Sequence, residues 1–457
     1  MRCPMPMIRT MTASPTRWPT NAPAMKNMRT RPGTASGSPR CFGYLNATRP
    51  DEELRAWKHA LRNGELHTPV FEATADPALV YAHFLLADDG QPAPLTAAIL
   101  SANALVDHRD LAASEFEKIA DGLWAVTLQV PADWRAGYRI TTHRGAGLPA
   151  WRIETERRPI RLAADAGGID ESNQLVGATM NGAPVSLAYA PASRIPSSLA
   201  TATPDWHRPG PAVGGWGGPG QAPGIKHPRL HHHELYDENC QRPRDLWMYV
   251  PAQAVGPTPL AIVHDGATYA RFLAAAESLD AAIASGELAP LHVLFIDSTT
   301  VQIRSEELPV LAGTTTSIAE QFLPWARSHY RISMRRDDVL INGASFGGLA
   351  ALLMLCHYPH LVGRAIAQSP SLWHTDLAKH IVALPENSTV LIQAGCYETD
   401  IHEGCLRLME HLCQYPPAAQ VDFESLSGGH DWSWWNPELL CGLARFFPGA
   451  AHTGGSI

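Results

Sequence analysis

No stretch of the 457 residues approaches the roughly 18 consecutive apolar residues of a membrane-crossing helix. A helical membrane protein is therefore not expected. Cysteine is sparse and never spaced as C-x-x-C. The eight are Cys3, Cys41, Cys240, Cys356, Cys396, Cys405, Cys413 and Cys441, so a zinc ribbon is excluded. Most lie in apolar runs, where a thiol behaves as a small hydrophobe, so they are read as reduced cytosolic cysteines. Positive charge is in deficit, with 36 Lys and Arg against 44 Asp and Glu, a net −8. That argues against a general nucleic-acid binder, which needs cations to neutralise phosphates. A secretory apolar region is also missing from the N-terminus, which points to the cytoplasm. Residues 1–45, rich in Pro, Thr, Met and Arg without periodicity, are expected to be disordered.

What is present is an ordinary globular composition, 45% apolar and 18% charged, long enough for two or three domains. Leu54, Trp57 and Leu61 fall at helical spacing between residues 47 and 65. Short strand-like runs follow at Pro69–Ala73, Leu79–Ala87, Leu123–Val130 and Tyr138–Thr142, separated by Asp- and Gly-rich turns. This spacing predicts an immunoglobulin-like β-sandwich over 46–200. Trp124, Trp134 and Tyr138 fill its core or form a ligand surface. Residues 201–226 turn to Pro, Gly and Trp and read as a linker, a plain tether or a lid. His231, His232 and His233 invite a metal reading. Neighbours on a strand point in alternating directions, so coordination by all three is awkward and no metal is expected.

From 227 to 457 strands alternate with helices, the pattern of a doubly wound α/β sheet. Arg244–Val250, Pro259–Val263 and Leu291–Ile296 are strands. Ile318–Tyr330 is a helix with Pro324 as a kink, and Asn436-Pro437 starts the closing helix through Phe447. Within this region Val339–Ala344 enters Gly343-Ala344-Ser345-Phe346-Gly347, and an apolar helical run leaves it. This is the form of a nucleophile elbow, with Ser345 on a sharp strand–helix turn. Side chains at Gly343 and Gly347 would clash where strand and helix cross.

A serine needs a base, and the base an orienting acid, in the order Ser, acid, His for an α/β-hydrolase. The strand Thr389–Gly395 runs into Cys396-Tyr397-Glu398-Thr399-Asp400. Glu398 is the first choice for the acid. Asp400 is the reserve, with a helix first-turn role as its structural alternative. The strand Val421–Ser425 ends in Gly428-Gly429-His430-Asp431, so His430 suits the base and Asp431 ranks third as acid.

These residues carry a resemblance. The elbow through Leu349, Gln368-Ser369-Pro370-Ser371-Leu372-Trp373, Gly428-Gly429-His430-Asp431, Asp265-Gly266 and Arg304–Pro309 resemble the enterochelin esterase family. The likeness runs from about residue 245 onward with all motifs in order, and more weakly over the N-terminal half. It implies an α/β-hydrolase behind an all-β domain. It also implies Ser345 as nucleophile, His430 as base, Glu398 as acid, and the amides of Phe346 and Ala267 as oxyanion donors. The implied substrate is a ferric catecholate siderophore, cleaved without a cofactor. Arg304 is then a candidate for contact with the anionic substrate, with an ion pair to Glu307 as the structural alternative. Trp373, Trp432, Trp434 and Trp435 are candidates for packing on catechol rings, with the core as the alternative for some of them, and Trp373 and Trp432 are the first choices. Rival readings are a feruloyl or acetyl esterase, an S-formylglutathione-type thioesterase, and a carbohydrate-binding scaffold with a vestigial hydrolase.

Overall fold

Alternation between two apolar faces decides where the central strands go. In Leu246-Trp247-Met248-Tyr249, Leu246 and Met248 pack on one side of the sheet with Ile262, Leu294 and Ile341. Trp247 and Tyr249 pack on the other with Val263, Val293, Phe295 and Leu340. A strand buried on both faces needs helices on both, which is the α/β solution. Each fully buried Leu, Ile or Phe contributes roughly 1.5–3 kcal/mol.

The computed structural model describes residues 40–105, 111–201, 227–252 and 256–453. All but the first residue of the sequence's linker (201–226) and most of its N-terminal segment (1–45) lie outside these. Eight strands form the large sheet. They are β9 (Leu230–Asp237), β10 (Arg242–Tyr249), β11 (Leu260–Val263), β12 (His292–Ile296), β13 (Val339–Ala344), β14 (Arg364–Gln368), β15 (Thr389–Gly395) and β16 (Gln420–Leu426). Their order is β16-β15-β14-β13-β11-β12-β10-β9. All neighbours from β12 to β16 pair in parallel, and β10 is antiparallel to both of its own. The chain steps from β11 to β12 on one side, then to β13 on the other. That reversal makes the carboxyl ends of β11 and β13 a topological switch point, where ligands bind in open α/β sheets.

Ahead of it lie β1 (Val70–Ala73), β2 (Leu79–Ala87), β3 (Leu95–Ala102), β4 (Glu117–Ala120), β5 (Leu123–Pro131), β6 (Arg135–Arg144), β7 (Val176–Ala178) and β8 (Pro184–Tyr189). They make two antiparallel sheets, β1-β2-β5-β4 and β3-β6-β8-β7. Phe84, Val126 and Val130 from one share a core with Leu100, Ala136 and Ile140 from the other. Trp134 and Tyr138 are fully buried there, edge-on to Phe84. Trp124 is partly buried against the same cluster. The helix Asp51–Arg62 buries Leu54 and Leu61 on Leu85 and Leu123, at the outer face of the first sheet.

Two helix boundaries differ from the sequence reading. The closing helix runs from Trp432 to Phe446 and starts one turn before Asn436-Pro437. Asp431 caps it by accepting from the Ser433 amide at 3.1 Å, so Pro437 sits inside the helix. The helix expected from Ile318 is π-helical over Ile318–Phe322 and α-helical only from Leu323 to His329. Pro324, without an N–H, marks the change of geometry rather than a kink. β3, β4, β7 and β8 were not read from the sequence. The Ala-rich Leu95–Ala102, for example, is buried at almost every position and shows no alternation. Among the described residues no helix is long and apolar enough to cross a membrane.

One buried charge network ties the sheet edge to the helices. Arg244 donates to Asp237 at 3.0 Å, Glu307 at 2.5 Å and the Asp297 carbonyl at 3.0 Å. Glu307 also meets Arg242 at 2.9 Å. Removing the guanidinium strands two carboxylates away from water. Arg244→Met should therefore cost about 3–5 kcal/mol in chemical denaturation of the full-length protein. A loss below about 1 kcal/mol would mean that the surrounding groups compensate the carboxylates without it.

Candidate active site

The site is built at the carboxyl ends of four parallel strands. β13 delivers Ser345 at φ 61° and ψ −119°, a conformation a side chain rarely adopts. It is held from both sides. The Ser345 amide donates to the Gln368 carbonyl at 2.9 Å, and the Ser345 carbonyl accepts from Leu349 and Ser371. Gly343 is required as expected, since a Cβ there would lie 2.4 Å from the Gly347 carbonyl. Gly347 is less constrained, its nearest neighbour being His264 Cβ at 3.3 Å. The tighter position is Gly348, where a Cβ would meet the Gln368 carbonyl at 2.6 Å.

The helix Phe346–His357 begins at the serine, so its first amides have no partner within the helix. Ala267 is the second residue of another helix, Gly266–Phe272, which follows β11. Its amide is likewise in a first turn. Gly266 permits this, because a Cβ there would strike the β12 backbone at 2.4 Å. Two helix N-termini thus flank the switch point, the arrangement that stabilises a developing oxyanion.

Arg304 links them. Its guanidinium grips Asp265 through two hydrogen bonds of 2.6 and 2.8 Å, and donates to the Ala344 carbonyl at 2.8 Å. Burial alone would raise the Asp265 carboxyl. The guanidinium beside it overrides this and holds it below the ordinary carboxylate range. The ion pair expected with Glu307 is not formed, because Glu307 is taken by Arg242 and Arg244. Arg304 braces the loop ahead of Ala267 against the strand ahead of Ser345, and its charge is already spent.

Glu398 and His430 meet. The ring Nδ1 hydrogen-bonds Glu398 Oε1. A carboxylate can only accept, so Nδ1 donates, and in the neutral ring the lone pair then lies on Nε2. Glu398 is buried, and its Oε2 accepts from the Gly395 amide at 2.6 Å and from Ser369 Oγ at 2.8 Å. Ser369 in turn accepts from Trp435 Nε1 at 2.9 Å. The Trp435 ring stands edge-on to His430, 4.7 Å between centroids. Sequence reasoning gave Ser369 no role, and Trp435 was only one of several tryptophans. The available signal was position: Ser369 ends the strand between those of Ser345 and Glu398.

The other acids go elsewhere. Asp400 is exposed in the first turn of the helix Thr399–Gln414, its structural alternative. Asp431, ranked third, is the cap of the closing helix, and the Gly137 amide occupies its second oxygen. Burial pushes its carboxyl above the ordinary value despite these donors. Trp373 is exposed and lies 5.7 Å from the ring of Phe346, the residue after Ser345. Trp432 is half-buried and packs edge-on against Tyr269 and Trp435. His232 bonds Asp245 and His233 bonds Tyr330, at the far edge strand.

Comparison with known proteins follows this geometry. The model of the putative esterase family matches residues 238–446. The iron(III) enterobactin esterase of Dickeya dadantii strain 3937 is 25% identical over 439 residues, spanning 86% of this chain and 92% of that protein. That of Escherichia coli K12 is 26% identical, spanning 76% and 84%. The solved ferric enterobactin esterase from Salmonella typhimurium superposes with a TM-score of 0.67 at 19% identity, over 86% of this chain and 98% of that one. The resemblance read from the motifs, and with it the expectation of an esterase, is borne out by these likenesses.

His264, the last residue before Asp265, gives the site a pH signature. It is buried, and neither ring nitrogen has a hydrogen-bond partner among the described residues. Burial lowers it from 6.5 to about 4. Between those values the unfolded chain binds a proton that the folded chain refuses. Stability is therefore lost as pH falls through this window, by up to about 3 kcal/mol from this residue. His264→Leu should show a shallower loss than the parent between pH 7 and 4 in denaturant titrations. Parallel stability curves would contradict this.

Proposed function

We propose that this protein is a serine esterase that hydrolyses the ester backbone of a ferric catecholate siderophore, an enterobactin-like trilactone, so that iron is released. The observation that carries the chemistry is the hydrogen bond between His430 and the buried Glu398, at the same carboxyl end of the sheet as the Ser345 elbow. The substrate class is supported by similarity to iron(III) enterobactin esterases along most of the chain.

In this reading Ser345 Oγ attacks an ester carbonyl while His430 Nε2 takes its proton. Glu398 holds the ring and stabilises the imidazolium. The Phe346 and Ala267 amides receive the oxyanion, where one lost donor typically costs about 3 kcal/mol. The ester C–O bond breaks, and His430 returns the proton to the departing seryl alkoxide. Water, activated by the same imidazole, then releases the acyl group. Three such cycles open the trilactone and cut it to monomers. Iron enters and leaves as cargo, and no step requires a resident metal or organic cofactor. With Arg304 committed to Asp265, catechol rings are received by aromatic surface, Trp373 next to Phe346 and Trp432 next to Trp435.

The first eight strands are proposed as an immunoglobulin-like sandwich domain within 46–200, and 227–457 as the hydrolase. The two face-sharing antiparallel sheets support that division. A cytoplasmic location is supported by the free thiols Cys240, Cys356, Cys396, Cys405 and Cys441.

Ser345→Ala and His430→Ala should each lower kcat by at least about a thousandfold, and the two losses should not add. Glu398→Gln should cost less, and more than Asp400→Asn, since Asp400 is exposed. Mass spectrometry of products from a ferric catecholate trilactone, a feruloyl ester and an acyl-glutathione decides the substrate. Linear and monomeric catechoyl-serine should dominate. Cleavage of the feruloyl ester or the acyl-glutathione alone would keep the serine hydrolase and reject the siderophore.

A further inference from the structure

The N-terminal sheets touch three of the loops that form the site, and most closely the one that bears His430. Asn103, just past β3, donates from Nδ2 to the His430 carbonyl at 2.8 Å. A Cβ on the preceding Gly429 would lie 2.5 Å from both Asn103 Oδ1 and Ala104 Cβ, so the two segments are in close contact. The Arg135 amide donates to the Ser427 carbonyl at 2.9 Å. The Arg135 guanidinium meets Glu438 at 2.6 Å, both side chains almost wholly buried. The acid loop is held too, because Tyr397, next to Glu398, is buried in the core between the two N-terminal sheets. On the oxyanion side, Thr268 Oγ1 donates to the Met180 carbonyl at 3.0 Å.

One contact repairs a defect in the hydrolase itself. Pro437 lies inside the closing helix and has no N–H for the carbonyl four residues back, that of Ser433. The Tyr189 hydroxyl, from β8, donates to that carbonyl at 3.0 Å. The first turn of the helix, continuous with His430 through Asp431, therefore takes a missing hydrogen bond from the N-terminal sheets.

We propose that Asn103 and Tyr189 are positioning residues for ester hydrolysis: they fix the His430 loop from outside the hydrolase sheet, so the N-terminal region acts on turnover itself and not only on capture of a bulky substrate. The proposal rests on His430 being the base. Both residues act through backbone carbonyls, that of His430 for Asn103 and that of Ser433 for Tyr189.

Four variants of the full-length protein test it: Tyr189→Phe, Asn103→Ala, Pro437→Ala and the double variant Tyr189→Phe with Pro437→Ala. Each is assayed on p-nitrophenyl butyrate and on a ferric catecholate trilactone, with kcat, KM, the pH profile of kcat and thermal unfolding recorded. Tyr189→Phe and Asn103→Ala should lower kcat on both esters by a similar factor, roughly three- to tenfold, with KM within about twofold. Pro437→Ala restores an N–H to the Ser433 carbonyl, so the double variant should regain most of the loss. Unchanged kcat in both single variants overturns the proposal. So does a defect confined to KM for the trilactone, which would make the sheets a binding platform only. A kcat loss that follows thermal unfolding and is not rescued by Pro437→Ala also overturns it. His430→Ala, run alongside, separates the two readings: if it keeps turnover, His430 is not the base, whatever the other variants do.

Discussion

A carboxylate taken out of water must be given donors, and Glu398 is given three. The His430 ring occupies one oxygen, and the Gly395 amide and the Ser369 hydroxyl occupy the other. The ring position of His430 follows from this, because Nδ1 must face the carboxylate. Uncompensated, a buried charge of this kind costs several kcal/mol, so the donors are a condition of folding as well as of chemistry. The demand propagates outward. Ser369 reaches Glu398 from the end of β14, while the Gln368 carbonyl beside it holds the amide of Ser345. One strand end therefore positions Ser345 and Glu398 together. Trp435 closes the circuit by donating to Ser369 and standing against His430.

The opposite side of the switch point uses the same device, a buried carboxylate supplied with donors. Asp265 is buried in a left-handed conformation at φ 58°, and Arg304 satisfies both of its oxygens. The same guanidinium binds the carbonyl just ahead of Ser345. Two charge-assisted clusters, one on each flank, thus leave the two helix N-termini free to face substrate. Preorganisation of this kind is what electrostatic catalysis requires, since the donors need not reorganise as charge develops.

Much of this was legible in the chain because the signals are local. Gly343, Ser345 and the apolar helix after them lie within a few residues of one another, as do Gly428, Gly429 and His430. The acid and the base follow strands in the right order, so their meeting could be anticipated from topology. What was not legible depends on partners distant in sequence. Arg304 reads as a substrate contact or, structurally, as a partner of Glu307 three residues away, and binds Asp265 instead. Asp431 has the chemistry of an acid beside the base, yet a helix start and the Gly137 amide claim it. Asn436-Pro437 has the form of a helix start, but the helix already begins one turn earlier, capped by Asp431. The interior proline this leaves is tolerated with help from Tyr189, which nothing in residues 430–440 could disclose.

The account joins the proposed nucleophile Ser345 to a histidine held by a buried glutamate and to similarity with iron(III) enterobactin esterases. Its central claim is that Ser345 is the atom through which the ester is cleaved. The most direct measurement is peptide mapping of the full-length protein after exposure to a fluorophosphonate, with and without a ferric catecholate trilactone as competitor. The account predicts a single adduct, on Ser345, slowed by the trilactone. An adduct on another residue, or none under conditions where the ester is turned over, would contradict it.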